Sequence, residues 1–180
     1  MTRNLGKIFE EDIMSSVPEN LFKYKLRDSA SGWSGGNKAR FTTNNICDLI
    51  VHDGIWLHLL ECKSHKGNSI PTTPKINTKG KITHYGVIKI NQLEGLMEEY
   101  PKKNVSTGFL FNLSDKCKTY FVEAPEVCEA LVEEHKKSLN LEWIEQHGML
   151  IPQIRKGRSQ IHWKYKLSSL LDNDWRVKKA

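Results

Sequence analysis

The most informative absence in this chain of 180 residues is that of long hydrophobic runs. No apolar stretch approaches the roughly 20 residues that a membrane-spanning helix requires. The first residues, Met1-Thr2-Arg3-Asn4, lead into an amphipathic segment and not into the apolar core of a signal peptide. We therefore expect a protein that has no membrane partner and resides in the cytoplasm.

Cysteine is also scarce, and the sequence has no C-x-x-C pair. A zinc site that uses Cys62 and His65 would need two further ligands at suitable spacing, and the sequence does not offer them. We expect the four cysteines to be reduced residues of the hydrophobic core. They are Cys47, Cys62, Cys117 and Cys128.

The composition is that of a folded protein with a basic surface. Hydrophobic residues make up 38% of the chain and charged residues 27%, which is typical of globular and not of disordered proteins. The length predicts a single domain over residues 1–180. The net charge of +6 and the pI of about 9.1 favour a polyanionic partner.

The chain is organised around two apolar runs within residues 45–63. The dipeptide Asp53-Gly54 separates them and tolerates the positive φ of a tight turn, so the two runs are predicted to form a β-hairpin. Because side chains alternate along a strand, one face of the second strand carries Ile55, Leu57, Leu59, Glu61 and Lys63.

Ionisable residues gather where this hairpin ends. Antiparallel pairing brings Asp48 on the first strand toward Glu61, while Lys63 shares the face of Glu61. An E-x-K sequence is often only a solvated edge, but both faces of this strand are apolar up to Leu60, which indicates burial. Two carboxylates without an imidazole favour Mg²⁺ or Mn²⁺ as the bound metal.

The N-terminal segment has apolar residues at helical spacing, which predicts an amphipathic helix over residues 5–16 that ends before Pro18. This helix carries Glu10 and Asp12. The pattern alone does not choose between these two acids as the one that faces a site, and either one is also compatible with a plain helix-start acid.

The remaining pattern predicts an α/β protein with a central mixed sheet flanked by helices. Strands are expected over residues 21–27, 105–113, 119–123 and 160–167. Helices are expected over 90–100, from Pro125 onward and over 168–171.

Two basic segments are predicted to be loops. Residues 28–44 form a mobile loop around Trp33, and residues 64–87 form a long loop beside the carboxylates. A phosphodiester backbone could approach there, although a solvated insertion or a charged edge strand explains the same residues. The candidate DNA-binding residues are Lys38, Arg40, Lys66, Lys75, Lys79, Lys81, Arg155 and Arg158.

These motifs resemble a known group of enzymes. Asp48 followed by Glu61-Cys62-Lys63, after a helix that carries Glu10, resembles the PD-(D/E)XK nuclease superfamily. Asn4-Leu5-Gly6-Lys7-Ile8-Phe9-Glu10, Thr42-Thr43 and Asn91-Gln92 are similar to motifs of RecU-type Holliday-junction resolvases, including relatives borne by phages. The similarity covers roughly residues 4 to 113.

The resemblance implies a restriction-endonuclease-like fold and an Mg²⁺-dependent (or Mn²⁺-dependent) DNA endonuclease. Such an enzyme would act as a homodimer on four-way junctions during recombination and repair, in a bacterium or a phage-infected cell. Residues 28–44 would then be a shortened form of the stalk that enters the junction.

The resemblance also implies a role for each matched residue. It chooses Glu10 over Asp12 as a metal ligand, together with Asp48, Glu61 and the backbone carbonyl of Cys62. Lys63 would steer the attacking water or stabilise the transition state, and Thr43 would contact DNA. Gln92 would help to hold DNA or the reactive water, unless it is an ordinary exposed glutamine.

Two alternatives stay open. Another nuclease of the same superfamily, restriction-like or flap-cutting, would share every active-site residue and prefer a different DNA shape. A non-catalytic DNA-binding accessory of recombination would need only the basic segments, so Asp48, Glu61 and Lys63 would be dispensable.

Overall fold

The chain alternates strands and short helices. A computed structural model describes residues 4–26, 45–156 and 162–171. The elements are α1 (Leu5–Ser16), β1 (Phe22–Lys25), β2 (Leu49–His52), β3 (Leu57–His65), β4 (Ser69–Pro71), β5 (Pro74–Ile76), β6 (Ile82–Tyr85), β7 (Ile88–Lys89), α2 (Ile90–Glu99), β8 (Val105–Leu113), β9 (Lys118–Glu123), α3 (Ala124–Cys128), β10 (Ser138–Asn140), α4 (Leu141–His147), β11 (Gly148–Leu150), β12 (Gln153–Arg155), β13 (Trp163–Tyr165) and α5 (Ser168–Leu171).

The main sheet has six strands in the order β1-β2-β3-β8-β9-β11. Strands β1, β2 and β3 form an antiparallel meander, whereas β8 lies parallel to β3 and is reached through α2. Strands β9 and β11 complete the sheet in antiparallel orientation. The prediction of an α/β protein with a mixed sheet is confirmed.

Helices cover both faces of this sheet. One hydrophobic core joins α2, α3 and α4 to the sheet, and it includes Leu93, Leu96, Val127, Ile144, Phe109 and Phe111. The other joins α1, β13 and α5 to the opposite face, and it includes Phe9, Ile13, Leu60, Cys62, Leu110 and Tyr165. Strand β8 is buried along nearly its whole length, as expected for a central strand, and Ser106, Thr107 and Asn112 are buried there among apolar residues.

The predicted hairpin and N-terminal helix agree with the structure. Gly54 has a φ of 99°, the left-handed region that made Asp53-Gly54 a turn signal. Asn4 caps α1 by accepting a hydrogen bond from the N–H of Lys7, and the helix ends at Ser16. The predicted strand start at Ile55 is wrong, because this residue lies in the turn and is 65% exposed.

The prediction of a long loop over residues 64–87 is wrong. Strand β3 continues to His65, and strands β4, β5 and β6 follow it. The side chain of Asn77 accepts hydrogen bonds from the N–H groups of Lys79 and Lys81, which closes a tight turn between β5 and β6. With β7 these two strands make a separate three-stranded sheet, which we call the small sheet.

The prediction for the cysteines is only partly right. Cys47 and Cys62 are buried, but Cys117 is exposed in the turn after β8, where its φ of 51° fits a turn and not a core strand. Residues 28–44 and the expected strand start at 160 lie outside the described residues. No helix in the described ranges is long and apolar enough to cross a bilayer.

Candidate active site

The site is built where β2 begins, beside the second half of β3. Leu49 pairs with Leu60, and the N–H of Asp48 donates to the carbonyl of Leu60 at 3.1 Å. Asp48 therefore immediately precedes β2 and is already held against β3. Glu61 and Lys63 follow on β3, beyond the paired end of β2.

The carboxylate of Asp48 is fixed by the backbone of β3. Its Oδ2 accepts a hydrogen bond from the N–H of Cys62 at 2.8 Å. Since the N–H and C=O of one strand residue point to the same edge, the carbonyl of Cys62 is directed toward the side on which Asp48 lies. Burial, followed by the charges of Asp48 and Glu61, raises the pKa of the Cys62 thiol, so this residue offers its carbonyl and not a thiolate.

Glu61 is the most buried acid of the site, with 1% of its surface exposed. Its Oε1 accepts a hydrogen bond from Lys63 Nζ. When both carboxylates are ionised, no group of the described residues donates to Oε2. The Asp48 carboxyl is close enough to hydrogen bond with Glu61 when one of the two is protonated.

The electrostatics of Glu61 follow from this position. Burial raises its pKa, the positive charge of Lys63 lowers it, and the charge of Asp48 raises it again, to about 8 in total. The neighbouring lysine thus compensates only part of the desolvation. Two carboxylates that are near enough to share a proton can also share a divalent cation.

Helix α2 supplies the remaining partner of this group. Gln92 lies in its first turn, 5% exposed, and its Oε1 accepts a hydrogen bond from Lys63 Nζ at 3.1 Å. Lys63 is thereby held between Glu61 and Gln92. The alternative in which Gln92 is an ordinary exposed glutamine is wrong.

Glu10 is held differently from the other predicted ligands. Its Oε2 pairs with Lys25 Nζ on β1 at 2.8 Å. Partial burial lowers the pKa of Lys25, but the hydrogen bond and charge of Glu10, with the charges of Glu11 and Asp48, outweigh this and raise it. Lys25 therefore lies between the charges of Glu10 and Asp48. Sequence reasoning missed this lysine, although its place on an alternating strand was a signal.

Asp12 has a structural role. It is 3% exposed and accepts hydrogen bonds from His162 Nδ1 and from the N–H of Trp163, each at 2.8 Å. The carboxylate thereby ties α1 to β13. The helical pattern did not decide whether Glu10 or Asp12 faces the site. The contacts do distinguish them, because both carboxylate oxygens of Asp12 are engaged in structural hydrogen bonds.

The fit to a metal rests on Asp48, Glu61 and the Cys62 carbonyl. No three His, Cys, Asp or Glu side chains within the described ranges converge as a ligand set of their own. Mg²⁺ commonly uses one or two carboxylates and keeps several waters, so this donor set fits it. The zinc alternative has no support here, because Cys62 and His65 are three residues apart on β3 and face opposite sides of the sheet.

The predicted DNA-binding residues are distributed over several surfaces. Lys66, Lys75, Lys79 and Lys81 are exposed after β3 and on the small sheet, and Arg155 is exposed on β12. Four further predicted residues lie outside the described part of the chain. They are Lys38, Arg40, Thr43 and Arg158.

Comparison with known proteins adds no family assignment. No protein-family model matches the chain, and a search of curated protein sequences found no similar protein. The observations that bear on function are therefore the positions and contacts of Asp48, Glu61, Lys63 and Gln92.

Proposed function

We propose that this protein is a divalent-metal-dependent endonuclease that hydrolyses phosphodiester bonds in DNA. The observation that carries the proposal is Glu61, a buried carboxylate beside Asp48 whose second oxygen has no donor among the described residues. Burying a carboxylate oxygen without a partner reduces the stability of the fold unless a ligand binds to that oxygen. A cation bound between the two carboxylates would do so.

Each residue of the group then has a definite task. Asp48 and Glu61, with the Cys62 carbonyl, would hold Mg²⁺ or Mn²⁺, and Glu10 would complete the shell through water once Lys25 releases it. The ion, when bound, would supply a nucleophilic hydroxide and neutralise charge on the scissile phosphate. Lys63 would donate its N–H groups to a phosphate oxygen, and Gln92 would keep the ammonium oriented.

The element order supports the finer proposal of a restriction-endonuclease-like fold. Helix α1 precedes the antiparallel meander β1-β2-β3, and α2 then leads to β8, which is parallel to β3. In that arrangement Asp48 lies at the start of β2 and Glu61 on β3, where the resemblance to the PD-(D/E)XK nucleases puts them. The net charge of +6 suits a DNA substrate.

We further propose that the preferred substrate is a four-way DNA junction, with the RecU-type motifs as support. An enzyme that cuts two opposed strands of such a junction needs two active sites, so the working form would be a symmetric homodimer. Its setting would be recombination and repair in the cytoplasm of a bacterium or a phage-infected cell.

The test is an Mg²⁺-dependent cleavage assay on immobile four-way junctions, flaps and linear duplexes of matched sequence. We expect wild type to cut the junction best and Asp48→Asn to cut none of the substrates while it still binds DNA. Equal cleavage of the junction, the flap and the linear duplex would contradict the junction preference and support a nuclease of the same superfamily without it. If Asp48→Asn cleaved at the wild-type rate, or if wild type cleaved strongly in excess chelator, the proposed metal site would be wrong.

The oligomeric state is tested separately by light scattering after gel filtration. A mass of two chains supports the paired cuts that junction resolution needs. A monomer that stays monomeric on the junction would contradict the resolvase proposal and leave the endonuclease proposal intact.

A further inference from the structure

The small sheet brings three basic residues from its three successive strands side by side. Lys75 on β5 pairs with His84 on β6, and His84 pairs with Lys89 on β7. Residues directly opposite each other on neighbouring strands put their side chains on the same face. With strands roughly 4.8 Å apart, the three side chains form a lateral row about 10 Å long. We call it the basic row.

The basic row has no acidic counterpart in its own segment. Between Glu61 and Glu94 the sequence contains no aspartate or glutamate, while it contains Lys63, Lys66, Lys75, Lys79, Lys81 and Lys89. Lys75 and Lys89 repel each other across β6, because strands that flank a common neighbour lie only about 10 Å apart. A row of this kind is stabilised when an anion with several charges lies along it.

The basic row leads to the candidate active site. Partial burial lowers the pKa of His84, and the charges of Lys75, Lys89 and Lys63 lower it further, so His84 lies within the field of the active-site lysine. At one end of the row, Lys89 occupies the N-cap position of α2, three residues before Gln92, which accepts a hydrogen bond from Lys63. His84, through its electrostatic interaction, and Lys89, through α2, are thus both connected to Lys63 in the second half of β3.

We propose that Lys75, His84 and Lys89 form a binding track for the phosphodiester backbone of the nucleic acid strand that enters the Asp48–Glu61 site. The two lysines neutralise successive phosphates, and the imidazole donates a hydrogen bond between them. The course of the strand into the site rests on the proposed endonuclease function, whereas binding along the track is tested independently of cleavage.

The experiment measures DNA binding in the Asp48→Asn background, so that cleavage does not interfere. The double variant Lys75→Ala with Lys89→Ala should bind a fluorescent duplex roughly tenfold or more weakly at about 0.1 M salt, because two counterion-releasing contacts are lost. The log–log salt slope should become shallower by about 0.9 for each contact.

The matched control is Lys102→Ala with Lys103→Ala, which changes the net charge equally. These residues precede Val105, which is opposite Leu57, while Lys63 is opposite Phe111. The control pair therefore lies roughly 20 Å from the site along the strands. We expect it to leave the slope of the parent protein nearly unchanged.

His84 tests the row at its centre. His84→Gln keeps a neutral hydrogen-bonding side chain and should leave the slope unchanged, whereas His84→Glu puts a carboxylate among the phosphates and should weaken binding severalfold. Equal behaviour of the glutamine and glutamate variants would contradict the track.

The outcomes separate the two proposals. If wild type cleaves DNA but the Lys75/Lys89 variant binds like the Lys102/Lys103 control, the track is wrong and the endonuclease stands. If that variant loses binding while wild type cleaves no DNA in Mg²⁺, the track is right and the endonuclease is wrong. The same titration with an RNA duplex shows whether the track discriminates between the two backbones.

Discussion

Asp12 and Glu61 are both buried carboxylates, 3% and 1% exposed, on opposite faces of the main sheet. Both oxygens of Asp12 accept hydrogen bonds, from His162 and from the backbone of Trp163. Only one oxygen of Glu61 does so, from Lys63, and a second acid, Asp48, lies within hydrogen-bonding reach of Glu61.

The difference shows which of the two acids is available for chemistry. A buried carboxylate with all its lone pairs engaged offsets its own desolvation and acts as a structural tie. A buried carboxylate beside a second acid keeps a desolvation cost that a cation can relieve. On this basis α1 is anchored by Asp12, and the function that we propose is centred on Asp48 and Glu61.

The largest effect that sharpens this comparison is on cleavage. Glu61→Gln should lower the cleavage rate by roughly 10³-fold or more, since it removes one of the two anionic ligands on which the metal's stabilisation of the transition state depends. Binding of DNA should be retained or become tighter, because negative charge beside the phosphates is lost. Single-turnover kinetics and anisotropy titrations measure the two effects separately.

The control is Glu142→Gln, which changes the same functional group in the first turn of α4, where the side chain is exposed. We expect wild-type cleavage. A Glu61→Gln protein that is folded and cuts at the wild-type rate would contradict the assignment of the site.

The next largest effect is on stability in the absence of metal. The pKa of Glu61 is raised from 4.5 to about 8 in the folded protein, so the folded state holds a proton that the unfolded state releases between these values. The contribution to stability is present below about pH 4.5 and is lost as the pH rises through about 8. At about 1.4 kcal/mol for each pKa unit, its upper limit is about 5 kcal/mol.

Urea unfolding in chelator between about pH 5 and pH 9 measures this loss. In Glu61→Gln the free energy of unfolding should depend less on pH than in wild type, and Mg²⁺ should flatten the wild-type profile by favouring the ionised carboxylate. Identical slopes for wild type and Glu61→Gln would show that Glu61 does not titrate in this range.

The third effect is a loss of stability when Asp12 is replaced. Asp12→Ala should destabilise the fold by about 2–4 kcal/mol, because it leaves the N–H of Trp163 and the ring of His162 without their acceptor. Cleavage well below the melting temperature should persist. Loss of cleavage with an unchanged melting temperature would make Asp12, and not Glu10, the helical acid of the site.

Local patterns were sufficient for the elements that carry the chemistry. Alternation along β3 puts Glu61 and Lys63 on one face, and Asp53-Gly54 sets a turn that brings Asp48 back toward them. Helical spacing correctly bounds α1. These features depend on residues that are close together in the chain, so their pattern can be recognised in the sequence alone.

Features that depend on distant partners were beyond such reasoning. Asp12 owes its role to His162, 150 residues away, so helical periodicity cannot separate it from Glu10. Strand β4 pairs with β10, which lies far along the chain, so the local sequence does not reveal this strand. The alignment of Lys75, His84 and Lys89 likewise exists only through the pairing of three strands.

The smallest effect that we predict tests Gln92, an uncharged side chain that hydrogen bonds to Lys63 of the candidate site. Gln92→Ala should lower the maximal cleavage rate by roughly tenfold, the equivalent of one hydrogen bond of about 1–1.5 kcal/mol to Lys63. The Michaelis constant for DNA should change little, because Gln92 is buried and acts through the orientation of the ammonium. Gln146→Ala on the exposed side of α4 is the control. If Gln92→Ala instead abolished cleavage as completely as Glu61→Gln, Gln92 would itself contact the reacting groups, and the functional boundary would extend from β3 to α2.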